Sequence, residues 1–187
     1  ERIAEMAGDE PYMLASNLKD VVVLVDKDRV KSGRYAIEKF GCDTLLLDDG
    51  FQHLKLARNV NLLSIGEDDL DARVIPAGLL REPLQAASAA DALLADGPDE
   101  RVMQFGRRLG IDSVFHVTRS LDSAKWMAGG DSKPVPKGAK AFAVAAIAQP
   151  QRFFKDLAAD GWTISGQLAY RDHHWFSAAD IDRIASD

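Results

Sequence analysis

Residues 21–49 read VVVLVDKDRVKSGRYAIEKFGCDTLLLDD. The apolar runs at 21–25 and 44–47 fit strands. Between them Val30, Ala36, Ile37 and Phe40 recur at helical spacing over residues 29–40, and Gly41 stands where a C-terminal cap belongs. Strand, helix and strand in that order form a β-α-β unit, the building block of a parallel sheet. The alternation continues outward. Residues 60–65, 92–95, 113–117, 141–147 and 162–170 read as further strands, and residues 99–109 as a helix closed by Gly110. Helices begin near Pro150, suited to a first helical turn, and near Ser177, with Asp180 three residues on as in a capping box. Continuous apolar runs suit strands covered on both faces, so the expected class is α/β, a mostly parallel sheet with helices on both sides.

The chain has 187 residues, 47% of them apolar and 28% charged. That is the balance of an ordinary globular protein, and it excludes disordered, collagen-like and coiled-coil classes. Lys plus Arg total 23 against 29 Asp plus Glu, a net charge of −6. No nucleic-acid partner is expected, because phosphate neutralisation needs a basic surface. The single cysteine, Cys42, excludes an intrachain disulfide framework and an all-cysteine zinc site. The longest wholly apolar run, residues 141–148, falls short of the roughly 18–20 residues of a membrane-spanning helix. The chain opens on Glu1 without a signal-peptide pattern, and is expected to be an internal segment of a longer protein. A Gly/Pro-rich stretch at 128–136 marks a linker or hairpin. The expected organisation is a domain at 1–118, a linker at 119–139 and part of a smaller α/β domain at 140–187.

Five places could carry chemistry. The run Leu47-Asp48-Asp49-Gly50-Phe51-Gln52-His53 puts two carboxylates at the C-terminal end of an expected strand, the edge where open α/β sheets bind ligands. Such a pair can hold Mg²⁺ beside nucleotide phosphates, or can simply be a polar strand exit with an Asp-Gly turn. Gln52 and His53, both able to hydrogen-bond a phosphate, tip the reading towards function. In Pro76-Ala77-Gly78-Leu79-Leu80-Arg81-Glu82-Pro83, prolines and a glycine fix an irregular loop. Its Arg81 suits bidentate phosphate recognition and Glu82 suits a metal or the orienting of Arg81, while a local surface ion pair is the plainer account. Gly8-Asp9-Glu10-Pro11 reads as a helix N-terminus with acids favoured by the dipole. Arg29, in Asp26-Lys27-Asp28-Arg29, faces the same expected sheet edge as Asp48 and Asp49, as a phosphate ligand or as part of a solvated charge run. Asp172-His173-His174 follows an expected strand, where one histidine can serve as a general base or metal ligand, or both can be structural. His116, mid-strand, is expected in the core.

Taken jointly and in order, Gly8-Asp9-Glu10-Pro11, Asp28-Arg29-Val30, Asp48-Asp49-Gly50-Phe51-Gln52-His53, Pro76-Ala77-Gly78 with Arg81-Glu82-Pro83, Ala146-Ile147-Ala148 with Pro150, Phe153 and Phe154, and Asp172-His173-His174 strongly resemble the bacterial lipid A 4′-kinase family. The resemblance covers nearly the whole chain. It implies a P-loop-NTPase-like fold, ATP and Mg²⁺ as cofactors, and phosphorylation of the 4′-hydroxyl of a tetraacyldisaccharide 1-phosphate lipid A precursor at the cytoplasmic face of the bacterial inner membrane. Carried over residue by residue, it implies that Asp48 and Asp49 are catalytic and, with Glu82, associated with metal. Arg29, Gln52, His53 and Arg81 would neighbour phosphate or substrate, and Asp9 would be the catalytic acid–base group with His173 as its partner. Leu79 stands where the family has Pro, Ala146 where it has Gly, and the family's Gly-Asn-Gly is missing from residues 67–74. No Gly-x-x-x-x-Gly-Lys-[Ser/Thr] loop occurs. In the family that loop and a membrane-associating helix lie upstream, so the segment alone is expected not to turn over ATP, and contact with the inner-membrane surface is expected through that upstream region. A metal-dependent phosphoesterase and a non-catalytic nucleotide- or lipid-binding module are the alternative functions.

Overall fold

The computed structural model describes residues 7–97, 99–125, 135–136 and 138–186. The Gly/Pro-rich stretch expected to be a linker or hairpin lies mostly outside them. The chain divides into two compact units, Glu1–Thr118 and Arg119–Asp187.

In the first unit, helices α1 (Asp9–Asn17) and α2 (Arg29–Phe40) precede strand β1 (Leu62–Ile65). Strand β2 (Ala92–Asp96), helix α3 (Glu100–Leu109) and strand β3 (Val114–Val117) follow. The strands form one parallel sheet in the order β1-β2-β3, with Leu62 opposite Ala92 and Leu93 opposite Val114. The helices start and stop where side chains satisfy their free backbone groups. The Asp28 carboxylate accepts from the amides of Val30 and Lys31 and the Asp99 carboxylate from those of Arg101 and Val102; Gly41 and Gly110 close α2 and α3 in the left-handed conformation. Central strand β2 carries the core: Leu93 is fully buried, packed with Ile65, Val102, Phe105 and Ile111. Burying a side chain of that size contributes about 2–3 kcal/mol.

The expected strands at 21–25 and 44–47 do not form. Neither stretch takes up regular secondary structure, and among the described residues neither joins a sheet. An apolar run supplies a face to bury and not a ladder partner, and here the faces stay open: Leu46 is 93% exposed and Val25 54%. His116, expected in the core, is exposed on β3, which has a strand on one side only among the described residues. Its Nδ1 lies 3.0 Å from the Gly97 carbonyl oxygen.

The second unit holds β4 (Lys140–Ala145), α4 (Pro150–Ala159), β5 (Thr163–Ala169) and α5 (Ala178–Ser186). Strands β4 and β5 pair in parallel, with α4 as the crossover. Gly166 stands opposite Phe142, where a Cβ would lie 2.5 Å from the ring. Ala143, Ala145 and Phe154 form a small core. Pro150 opens α4, and a reciprocal Ser177–Asp180 box opens α5: the Ser177 amide donates to Asp180 Oδ2 at 2.8 Å and the Asp180 amide to Ser177 Oγ at 3.3 Å.

Candidate active site

The loop carrying Asp48 to His53 is shaped by three local constraints. Asp49 adopts φ of 50°, in the left-handed region that costs a non-glycine residue about 1–2 kcal/mol. At Gly50 a Cβ would lie 2.6 Å from the Leu47 side chain, so the turn requires glycine for space. The His53 amide closes the turn on the Gly50 carbonyl at 3.0 Å. Phe51 then packs against the core of the first unit, which ties the loop to the sheet. The result leaves the carboxylates of Asp48 and Asp49 and the amide of Gln52 exposed, and His53 half-buried.

The second loop is closed by its own backbone. Val74 and Leu80 form an isolated bridge, the Ile75 amide donates to the Leu80 carbonyl at 2.9 Å, and the Leu80 amide donates to the Arg73 carbonyl at 3.0 Å. The Ile75–Pro76 peptide is cis. Gly78 crosses so close to Arg73 that a Cβ would sit 2.2 Å from its carbonyl oxygen, so no other residue fits. Arg81 leaves this loop and donates from Nη2 to Asp49 Oδ2 at 3.0 Å, which joins two stretches 32 positions apart. Glu82 beside it is half-buried.

Arg29 and His53 line a common open cleft of about 350 Å³ with Lys27, Asp28, Val30, Lys55 and Leu56. Arg29, Lys27 and Lys55 outnumber the one acid, and Asp28 is engaged in capping α2, so the cleft favours anions at a helix N-terminus. Arg29 is fixed by Nη1 donating to the Asp26 carbonyl. The Asp26 carboxyl titrates below its ordinary range because the Asp28 amide, and after it Lys31, donate to it. Asp9 is the first residue of α1, exposed, and its Oδ1 accepts from the Glu10 amide at 3.0 Å.

In the second unit His173 also has a left-handed backbone, φ 54°. Its amide donates to the Ala146 carbonyl at 3.3 Å and to Asp172 Oδ1 at 3.1 Å, and its ring Nε2 lies 3.7 Å from Asp172 Oδ2. The neighbouring His174 ring stacks on Tyr170, centroids 4.5 Å apart, and its Nε2 lies 3.2 Å from Asp180 Oδ2. The Ser177 hydroxyl donates to that carboxylate at 2.7 Å. Ser177, with His174 contributing less, lowers the Asp180 carboxyl from 3.8 to about 2. The two adjacent histidines therefore differ in kind: His174 is built into the unit, while His173 is exposed.

Among the described residues no three His, Cys, Asp or Glu side chains gather into a cluster able to hold a metal between them. Mg²⁺ bound with nucleotide phosphates needs only one or two carboxylates, its other ligands being phosphate oxygens and water. The exposed, adjacent Asp48 and Asp49 fit that requirement. The structure thus brings Asp49 to Arg81 and Arg29 to His53, all within the first unit, while His173 belongs to the second. Sequence reasoning missed Arg58, whose guanidinium donates to the carbonyls of Gly50, Phe51 and His53. The only signal was an arginine shortly after the acidic loop. It also missed Lys27 and Lys55 as lining of the cleft, and the Tyr170–His174–Asp180 assembly centred on the residue after His173.

A solved structure of LpxK from Aquifex aeolicus, described as the "apo" form in complex with ATP, matches 91% of this chain and 54% of its own at 32% identity and a TM-score of 0.69. The likeness assigns the parallel α/β frame to the P-loop kinase class. The family model described as tetraacyldisaccharide-1-P 4′-kinase matches residues 1–187, and the chain belongs to that family. Two relatives, each named tetraacyldisaccharide 4′-kinase, come from Koribacter versatilis and Desulfotalea psychrophila. They are 37% and 36% identical over 96% and 98% of this chain, and over 54% and 56% of their own length. The chain therefore spans about half the length of the curated relatives it matches. No helix among the described residues is long and apolar enough to cross a membrane.

Proposed function

We propose that the full-length protein transfers the γ-phosphoryl group of ATP to the 4′-hydroxyl of a tetraacyldisaccharide 1-phosphate, a lipid A precursor. The observation that carries the reading is the Asp49–Arg81 pair, which joins the Gly78 loop to the acidic loop, whose His53 lines a cleft rich in cations. In the reaction the 4′-oxygen attacks the γ-phosphorus and the bond to the bridging β–γ oxygen breaks, releasing ADP. The hydroxyl proton passes to a carboxylate.

Asp48 and Asp49 would hold Mg²⁺, which when bound offsets charge on the phosphates. Arg81 and Arg29 stabilise the negative charge spread over the phosphoryl oxygens, with Gln52 and His53 hydrogen-bonding the same group. Glu82 orients Arg81 or joins the metal site. Asp9 accepts the proton of the sugar hydroxyl, a weak nucleophile that needs a positioned base, and His173 assists that proton transfer. Residues 1–118 then belong to the kinase core and 140–187 to a smaller second domain, with 119–139 between them. The substrate's acyl chains and the cytosolic origin of ATP place the reaction at the cytoplasmic face of the inner membrane.

The test is incubation of the full-length protein with tetraacyldisaccharide 1-phosphate and Mg-ATP, followed by ³¹P NMR of the lipid. A new 4′-phosphomonoester in step with ADP supports the reading. Phosphate hydrolysis without lipid phosphorylation would instead favour a metal-dependent phosphoesterase, and nucleotide binding without turnover a binding module.

A further inference from the structure

Arg58 lies outside every motif that marks the family resemblance, yet all three of its hydrogen bonds go to one loop. Its Nη1 donates to the carbonyls of Gly50 and, at 3.1 Å, His53, and its Nη2 to that of Phe51 at 3.4 Å. The last of these bonds is the longest. A turn that passes through a left-handed aspartate turns several carbonyls inward, and each needs a donor. A guanidinium supplies donors from a rigid planar fork and keeps its charge at any physiological pH. Its Nε, meanwhile, is buried without a hydrogen-bond partner, an arrangement that costs stability. Peptide planarity adds a consequence. With the carbonyls of Gly50 and Phe51 turned towards Arg58, the amide N–H groups of Phe51 and Gln52 face the opposite way.

We infer that Arg58 is a positioning residue for phosphoryl transfer, clamping the Asp48–His53 loop from beneath so that its two carboxylates and its outward amides meet the metal and phosphates in a fixed geometry. The inference rests on the kinase reading of that loop. Groups that orient metal-binding carboxylates typically change metal affinity or activity by about 10–100-fold when removed.

The experiment compares wild type, Arg58→Gln and Arg58→Lys in the full-length protein. Hydrogen–deuterium exchange without nucleotide reads the loop directly: exchange over residues 49–54 should accelerate at least about fivefold in Arg58→Gln, with β2 and α3 unchanged. The Mg²⁺ concentration giving half-maximal lipid phosphorylation at saturating ATP should rise about tenfold. Arg58→Lys, able to reach fewer carbonyls, should fall between the two and guards against a variant that fails to fold. Unchanged loop exchange, or faster exchange with an unchanged Mg²⁺ requirement, overturns the inference. A wild type that phosphorylates no lipid overturns the kinase reading instead, and the exchange arm then decides whether Arg58 orders the loop.

Discussion

Two loops in this molecule solve the same problem with different chemistry. Asp49 and His173 are the non-glycine residues with positive φ among the described residues, and both stand in stretches proposed to carry catalysis. The first loop is held by a permanent cation, Arg58, acting on backbone carbonyls. The second is held by side chains: His174 stacks on Tyr170 and faces the Asp180 carboxylate, which Ser177 also binds. The difference teaches where each loop should yield. The backbone shape of the first should respond to loss of the guanidinium at position 58, whereas the second should loosen when the Asp180 carboxylate is protonated.

The largest expected effect on stability comes from a glycine in the loop that carries Arg81. Gly78→Ala forces a Cβ into the backbone of Arg73, and should destabilise the first unit by about 3 kcal/mol in chemical denaturation. Gly41→Ala, at a left-handed residue with nothing within 4 Å of the added Cβ, should cost only about 1 kcal/mol. Equal losses would mean that close approach at Gly78 does not fix the loop.

Next, His173→Ala should lower lipid phosphorylation about 100-fold, the lower range for loss of a group assisting proton transfer. His174→Ala should lower it about tenfold by unseating His173, and turnover kinetics separate the two. An Arg58 variant with a normal pH profile beside a His174 variant with an altered one would sharpen the contrast between the loops.

Acid gives a smaller effect with a defined sign. The Asp180 carboxyl titrates at about 2 in the folded protein against 3.8 ordinarily. Its ionised form therefore stabilises the fold fully above 3.8, and that contribution is lost as pH falls towards 2. Asp180→Asn should lower the melting temperature near neutral pH, and the gap to wild type should close at about pH 2. A gap that persists there would mean that Asp180 stabilises the unit independently of its ionisation.

The smallest effect is on stability at the Asp49–Arg81 pair. Its side chains are 73% and 60% exposed, so the pair should contribute under about 1 kcal/mol. Arg81→Ala should leave the melting temperature nearly unchanged while lowering turnover. A large loss of stability would make the pair a structural strut.

What could be read in the sequence follows the range of the interactions. Helix limits depend on neighbouring residues, so the stops at Gly41 and Gly110 and the Ser177–Asp180 start were legible, while the capping roles of Asp28 and Asp99 were not read. That the apolar runs at 21–25 and 44–47 form no strand was not legible, because a strand needs a partner and an apolar run names none. The motif residues were legible through family resemblance and the turn chemistry of Asp-Gly. What stayed hidden was how the turn is made: Asp49, and not Gly50, takes the left-handed conformation, while Gly50 makes room for Leu47. Arg58 was hidden for the same reason, since a guanidinium reaching back to three carbonyls leaves no periodic trace.

The central claim is that the acidic loop carries phosphoryl transfer. It is tested most directly by the single-turnover rate of lipid phosphorylation in full-length Asp48→Asn and Asp49→Asn, at saturating Mg-ATP and lipid, with melting temperatures measured alongside. The account predicts losses of at least about a thousandfold, in line with the removal of charge at a phosphoryl-transfer centre, with melting temperatures close to wild type. Near-wild-type rates in both variants would contradict it.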